Sequence, residues 1–131
     1  MQFYIKKGHN KMQEYIAIDE ISKEILNSAK LLQTVEINAL IVGNKGSGKK
    51  SLAKFILPNN EIFEAKTLQK DISNNTIVVE NKSIIINKIE EITNIDAFIK
   101  WIKENDLRLI ATSNTENLNQ KIKDIFSINI E

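Results

Sequence analysis

Three of the chain's four glycines lie within six positions, inside the segment LIVGNKGSGKKSLAKFI at residues 40–56. The short apolar run in front of them ends at a glycine, which is typical of a buried strand. Apolar residues at helical spacing follow Lys49, and Pro58 should stop that helix. The segment is therefore predicted to form a strand, a tight glycine loop and a helix, and the rest of the chain must supply the other strands of the same sheet.

The loop follows the phosphate-binding pattern G-x-x-x-x-G-K-[ST] up to its lysine. In that pattern backbone N–H groups and the helix N-terminus attract a phosphate, and the lysine reaches the outer phosphates. Lys50 stands where a hydroxyl should bind Mg²⁺. Ser51 comes one position late, about 100° further round the helix, so it is expected to be a solvent-side or capping hydroxyl. A flexible surface turn is the alternative interpretation. We predict an ATP or ADP site, with Mg²⁺ left open, at Gly43, Asn44, Lys45, Gly46, Ser47, Gly48, Lys49, Lys50 and Ser51.

Length and composition indicate a single globular domain. A length of 131 residues suits a single domain, and 42% apolar with 27% charged residues favours neither disorder nor a membrane span. Cysteine is absent and the first residues lack the features of a secretory signal, so a cytoplasmic location is expected. Arg108 is the only arginine, so the sequence does not predict bidentate recognition of phosphates by several arginines.

Strands and helices are predicted to alternate. The first 18 residues are read as an extended segment in which QFYI and EYIAI flank a turn at 8–10 that includes His9. A helix is predicted from an N-cap at Asp19 to about Gln33. Further strands are predicted at 35–43, 61–65, 76–80, 83–87 and 107–112, and further helices at 67–72, 95–102 and 118–126. This order predicts an α/β fold with a mainly parallel sheet and ligands at the carboxyl ends of its strands.

Several segments resemble the AAA+ domain of sigma-54-dependent transcriptional activators. GNKGSGKKSLAKFI is similar to their Walker A segment, G-E-S-G-T-G-K-E, which also lacks the hydroxyl after the lysine. EIFEAKTL resembles their second strand, LRLIATSN their sensor strand and KIKDIFSINIE the segment after it. The resemblance implies a P-loop NTPase of AAA+ type, a three-layer α-β-α sandwich formed by one domain over 1–131. The helical lid domain would lie beyond residue 131 and is expected to be absent.

The acidic Walker B pair of that family is not found. The preferred alignment places Asn87 and Lys88 in the two acid positions, and a second alignment places Glu80 and Asn81 there. In the family the aspartate holds Mg²⁺ and the glutamate polarises the attacking water. The acids that follow, Glu90 and Glu91, are interpreted as solvated residues at a helix entry. The family's G-A-F-T-G-A loop is absent, and so is an arginine finger, because the one arginine opens the sensor strand.

Two further residues have open interpretations. Asn114 matches the polar sensor beside a γ-phosphate, and it could equally be an ordinary turn residue. Trp101 borders the apolar face of a helix; an exposed indole would favour a partner surface and a buried one only packing, which is the commoner case.

The sequence predicts a degenerate AAA+ core that binds ATP or ADP, has lost most or all hydrolysis, and acts through protein partners in a regulatory complex. It is therefore expected not to be an enzyme in isolation. Two alternatives stay open: a slow ATPase completed by a partner subunit, and an interaction scaffold with an empty loop. No direct DNA contact, membrane association or closed AAA+ ring is expected, and a role in transcription regulation is suggested by the resemblance alone.

Overall fold

The computed structural model describes residues 4–5, 15–16 and 20–131, with side chains from residue 23 onward. Strands β1 (Tyr4–Ile5) and β2 (Tyr15–Ile16) lie within the two predicted extended pieces and pair antiparallel. The predicted turn at 8–10 and the predicted cap at Asp19 lie outside the described residues. No helix within the described ranges has the length and apolar character needed to cross a membrane.

The remaining strands and helices alternate along the chain. The strands are β3 (Ala39–Val42), β4 (Ile62–Glu64), β5 (Ser83–Asn87), β6 (Arg108–Ser113) and β7 (Ile128–Ile130). The helices are α1 (Glu20–Leu32), α2 (Lys49–Ile56), α3 (Ala65–Ser73), α4 (Ile95–Glu104) and α5 (Gln120–Lys123). One 3-10 helix, Ile89–Glu91, follows β5 directly.

Strands β3 to β7 form one sheet in the order β4-β5-β6-β3-β7, and every neighbouring pair is parallel. Parallel strands end at the same edge of a sheet, so the last residues of β3, β4, β5 and β6 lie along one edge. The glycine loop begins at this edge, directly after β3. The predicted α/β fold with a parallel sheet is confirmed.

Side chains of the central strands alternate between two hydrophobic layers. In β5, Ile84 and Ile86 pack with residues of α3, α4 and α5, whereas Ile85 packs with residues of α1 and α2. Strands buried on both faces in this way need helices on both sides. The predicted three-layer α-β-α sandwich is therefore confirmed. Trp101 is only 9% exposed and lies in the first of these layers, which confirms the packing interpretation.

The structure differs from the sequence prediction in the segment 76–80, which forms no strand. Both sides of β5 are already paired, with β4 and β6, so no partner remains beside it. Ile77 and Val79 pack against the core, while Val78 between them is 79% exposed. The alternation of apolar and exposed side chains is thus real, but it belongs to a segment that packs on the surface of the core and forms no strand.

The end of the chain also differs from the prediction. The last helix, Gln120–Lys123, is shorter than the predicted 118–126. Asn119 caps its start by accepting a hydrogen bond from the Lys121 backbone N–H. Strand β7 was not predicted. It contains two apolar residues in alternation, Ile128 and Ile130, and its position follows from pairing with β3 rather than from its own pattern.

Candidate functional site

The glycine loop joins β3 to α2 at the carboxyl edge of the sheet. Its first residue, Gly43, donates its backbone N–H to the Ser113 carbonyl oxygen at the end of β6, over 3.1 Å. Gly46 and Gly48 have φ angles of +83° and +87°, in the left-handed region that glycine enters without strain. A Cβ on Gly46 would meet no heavy atom within 4 Å, so the loop borders open space. This is the backbone form expected of an anion-binding loop.

Lys49 is the first residue of α2 and turns back over the loop. Its Nζ donates to the Asn44 carbonyl oxygen at 2.7 Å and lies 3.5 Å from Ser47 Oγ. The residue is only 7% exposed. Burial lowers the pKa of Lys49, and the nearby Glu90 carboxylate partly opposes this shift. The ammonium therefore bonds to the loop's own oxygens, contacts that phosphate oxygens can replace.

A cavity of about 520 Å³ lies over the loop. Small-molecule sites typically measure roughly 300–1,000 Å³, so a nucleotide's phosphates fit. Of the predicted site residues, the following line it: Lys45, Gly46, Gly48, Lys49, Lys50, Ser51 and Asn114. Gly43, Asn44 and Ser47 belong to the same loop but do not line the cavity.

Three residues outside the predicted nucleotide loop also line the cavity: Glu64, which the sequence analysis missed, and Asn87 and Lys88, which the preferred Walker B alignment places in the two acid positions. Four lysines and one glutamate in the lining make the cavity electropositive, which favours polyphosphate binding. Ser51 was expected to be a solvent-side or capping hydroxyl because of its late position. The structure corrects this, since Ser51 is half-buried and lines the cavity beside Lys50.

Asn87 ends β5 next to the loop and is 5% exposed. Its Nδ2 donates to Glu64 Oε1 at 2.8 Å, and its Oδ1 accepts from the Thr112 hydroxyl at 2.6 Å. The same hydroxyl oxygen accepts the backbone N–H of Lys88 at 3.0 Å. Both polar atoms of the amide are thus held by neighbouring strands.

The structure decides between the two Walker B alignments. Asn87 ends β5, the strand beside β6, and Lys88 comes next; both line the cavity over the glycine loop. Glu80 and Asn81 line a different cavity of about 350 Å³, which also contains Ser83 at the amino end of β5. The second alignment is therefore wrong, because its segment forms no strand that could carry residues to the site.

The structure also corrects the interpretation of Glu90. Glu90 is half-buried, and its Oε2 accepts the backbone N–H of Asn114 at 3.2 Å. Glu91 is exposed, as predicted. The position of Glu90 depends on the left-handed backbone conformation of Lys88, which has a φ of 59°. A lysine at this position does not predict that conformation. The sequence offered no spacing signal from which to find this residue.

Within the described ranges, no group of three or more histidine, aspartate or glutamate side chains is placed to hold a metal ion. Magnesium in nucleotide sites is commonly held by one or two carboxylates together with phosphates and water. The candidate carboxylates at this site are Glu64 and Glu90.

A parallel five-stranded sheet with a phosphate-binding loop between β3 and α2 defines an AAA+ P-loop module. Comparison with solved structures supports this fold. The chain is similar to RuvB T158V of Thermotoga maritima, with a TM-score of 0.67, 19% identity, and coverage of 88% of this chain and 45% of RuvB. It is also similar to AMPPCP-bound DnaA from Aquifex aeolicus, with a TM-score of 0.59, 11% identity, and coverage of 88% of this chain and 48% of DnaA. The chain thus spans about half the length of these two relatives.

The family comparison is more specific. Residues 16–127 match the family model described as the Sigma-54 interaction domain, and the chain belongs to this family. A comparison with curated proteins found no match. The predicted resemblance to the AAA+ domain of sigma-54-dependent activators is confirmed.

Proposed function

We propose that this chain is a regulatory module that binds ATP or ADP through its glycine loop and does not hydrolyse the nucleotide at a useful rate. One observation carries the proposal: a glycine loop that follows the phosphate-binding pattern up to its lysine lies beside a strand end where the expected acid is a neutral amide, Asn87. That amide already bonds to Glu64 and Thr112. The site can therefore attract phosphates while lacking the carboxylate that holds Mg²⁺ in the family pattern.

Lys88 strengthens the argument against hydrolysis. It occupies the position of the water-polarising glutamate and lines the cavity. An ammonium group has no lone pair with which to accept a proton from water. A carboxylate-dependent hydrolysis route is thus lost at both acid positions of the family pattern.

Arg108 offers no substitute for an arginine finger. Its guanidinium donates to the carbonyl oxygens of Leu32, Val35 and Ile37, at 2.7, 3.0 and 3.0 Å. It lies at the amino end of β6, whereas the loop lies at the carboxyl edge of the sheet. Because the sequence contains no other arginine, we propose that the chain forms no ATP-driven closed ring. Sedimentation velocity with and without ATP tests this, and a nucleotide-induced hexamer would contradict it.

Action through a protein partner completes the proposal. A module that binds nucleotide without turning it over can transmit its bound state only by presenting different surfaces to another molecule. We propose transcription regulation as the pathway, because the family suggests it, and a protein of that pathway as the partner. Purification of the tagged protein from its host with ATP or with ADP, followed by identification of associated proteins, tests whether any partner prefers one state.

Titration calorimetry with ATP and ADP in the presence of EDTA tests nucleotide binding directly. Lys49→Ala should weaken binding by about 10-fold to 100-fold, because a hydrogen bond to a charged group contributes about 1.5–3 kcal/mol. Lys100→Ala is the matched control, since Lys100 is exposed on α4 and does not line the cavity. Binding that survives Lys49→Ala undiminished would remove the loop from the proposal. Absence of binding by the unmodified chain would favour the empty scaffold.

A further inference from the structure

The cavity over the glycine loop is lined mainly by positive charge. Four lysines and one acid line it: Lys45, Lys49, Lys50, Lys88 and Glu64. No other acid among the described residues belongs to this lining. Magnesium at a nucleotide site is commonly held by one or two carboxylates together with phosphate oxygens and water. A phosphate chain in this cavity therefore meets four cations, whereas a metal ion meets one carboxylate.

Two of these lysines replace groups that serve the metal-dependent reaction in the usual patterns. Lys50 stands where the phosphate-loop pattern has the hydroxyl that binds Mg²⁺. Lys88 stands in the second acid position, directly after Asn87. Both line the cavity, Lys50 as an exposed residue and Lys88 as a half-buried one. An ammonium group donates three hydrogen bonds and accepts none, so both can bind phosphate oxygens and neither can bind a metal ion.

Oxygen atoms at the neighbouring strand ends are bonded to protein groups. Asn87 is 5% exposed, and its Oδ1 accepts from the Thr112 hydroxyl at 2.6 Å. Its Nδ2 donates to Glu64 Oε1 at 2.8 Å. Ser51 and Asn114 also line the cavity, but their side chains carry no charge that offsets the lysines. The residues of this lining therefore do not fit a magnesium ion.

We propose that the site binds the nucleoside di- or triphosphate without Mg²⁺, and that the ammonium groups of Lys50 and Lys88 neutralise the phosphate charge in place of the metal ion. This inference rests on the proposed nucleotide site and names the form of nucleotide that the site selects. A divalent cation on the phosphates lies near four like charges and is repelled by them. It also removes two negative charges from the nucleotide, which lessens the attraction to the lysines.

The test is titration calorimetry of the full chain with a non-hydrolysable ATP analogue, once with EDTA and once with excess Mg²⁺. The quantity compared is the ratio of the two affinities. The unmodified chain should bind the analogue about 5-fold more tightly with EDTA, because one interaction between unit charges about 4 Å apart in water corresponds to roughly that factor. Salt screens such interactions, so both titrations use the same low ionic strength.

The double variant Lys50→Gln/Lys88→Gln removes both ammonium groups and keeps long polar side chains. Its affinity with EDTA should fall by about 10-fold or more, because hydrogen bonds to charged groups are lost. Its affinity with Mg²⁺ should fall less, so the preference for EDTA should disappear. Thermal unfolding checks that the variant is folded. Lys50→Gln alone changes an exposed residue and should show part of the same effect.

The matched control is Lys100→Gln/Lys103→Gln, which removes two charges from exposed residues of α4 outside the cavity lining. Its affinity ratio should equal that of the unmodified chain. Equal affinities in the unmodified chain, or tighter binding with Mg²⁺, would overturn the inference while leaving the proposed nucleotide site intact. A preference for EDTA that persists in Lys50→Gln/Lys88→Gln, or that the control loses equally, would overturn the assignment to these two lysines. Absence of binding under both conditions would overturn this inference and the proposed function together.

Discussion

The substitution Asn87→Asp restores the acid of the family pattern and should destabilise the protein. Asn87 Nδ2 lies 2.8 Å from Glu64 Oε1, so an aspartate here sets two carboxylates against each other at hydrogen-bond distance. The bond lost, to a charged acceptor, contributes about 1.5–3 kcal/mol. Solvent at the exposed Glu64 screens part of the added repulsion. We expect the free energy of unfolding to fall by about 2–4 kcal/mol at pH 7.

Urea denaturation followed by circular dichroism measures this loss. With a denaturant slope of about 2 kcal/mol per molar, the midpoint should fall by roughly 1–2 M. The repulsion raises the pKa of the introduced carboxyl in the folded state above its unfolded value of about 3.9. Stability relative to the unmodified chain is therefore highest at low pH and is lost as the pH rises through that folded pKa.

The double variant Glu64→Gln/Asn87→Asp is the control. Its glutamine amide can donate to the new carboxylate, which reverses the original pair, so most of the lost stability should return. Two results would refute the reasoning: an Asn87→Asp variant as stable as the unmodified chain at pH 7, or a double variant no more stable than Asn87→Asp alone.

Three further predictions concern stability and charge. Arg108→Lys should lower the free energy of unfolding by about 2–3 kcal/mol in urea denaturation, because lysine cannot reproduce the guanidinium's three carbonyl contacts; unchanged stability would contradict this. Lys88→Gly should raise that free energy by up to about 1 kcal/mol, since glycine enters the left-handed region without strain; a lower thermal midpoint would count against it. Nucleotide affinity should fall with rising pH at values below the ordinary lysine pKa of 10.5, because burial lowers the pKa of Lys49 and the cation is lost as pH rises through it. Calorimetry across this range checks the effect, and the same slope in Lys49→Ala would exclude Lys49 as its cause.

The glycine loop was predictable because its function depends on local backbone conformation. Glycines at 46 and 48 are required by positive φ angles, and a lysine at the helix start is required by the phosphate charge. Such requirements fix residue types at defined spacings, so they can be recognised as a sequence motif. The central strands were also predictable, since burial on both faces demands short runs of apolar residues.

The segment 76–80 and strand β7 show that the pattern of apolar residues does not by itself determine which segments form strands. The first has the composition of a strand but finds no partner, whereas β7 is short and forms because β3 has an open side. Pairing is a property of the assembled sheet, so neither outcome is contained in the local sequence.

Glu90 escaped prediction for a related reason. Its distance from the loop depends on one left-handed residue, Lys88, and on a hydroxyl from another strand, Thr112. Glu90 cannot be found from the spacing of the usual motif, because that motif places both acids at the strand end.

The fate of bound ATP tests the central claim most directly. The protein, in molar excess over radiolabelled ATP and with Mg²⁺ present, is incubated and the nucleotide it retains is separated and identified. The account predicts that the retained nucleotide is intact ATP, with ADP formed no faster than in the Lys49→Ala control. Formation of ADP clearly faster than in that control would contradict the account, and retention of no nucleotide would contradict it as well.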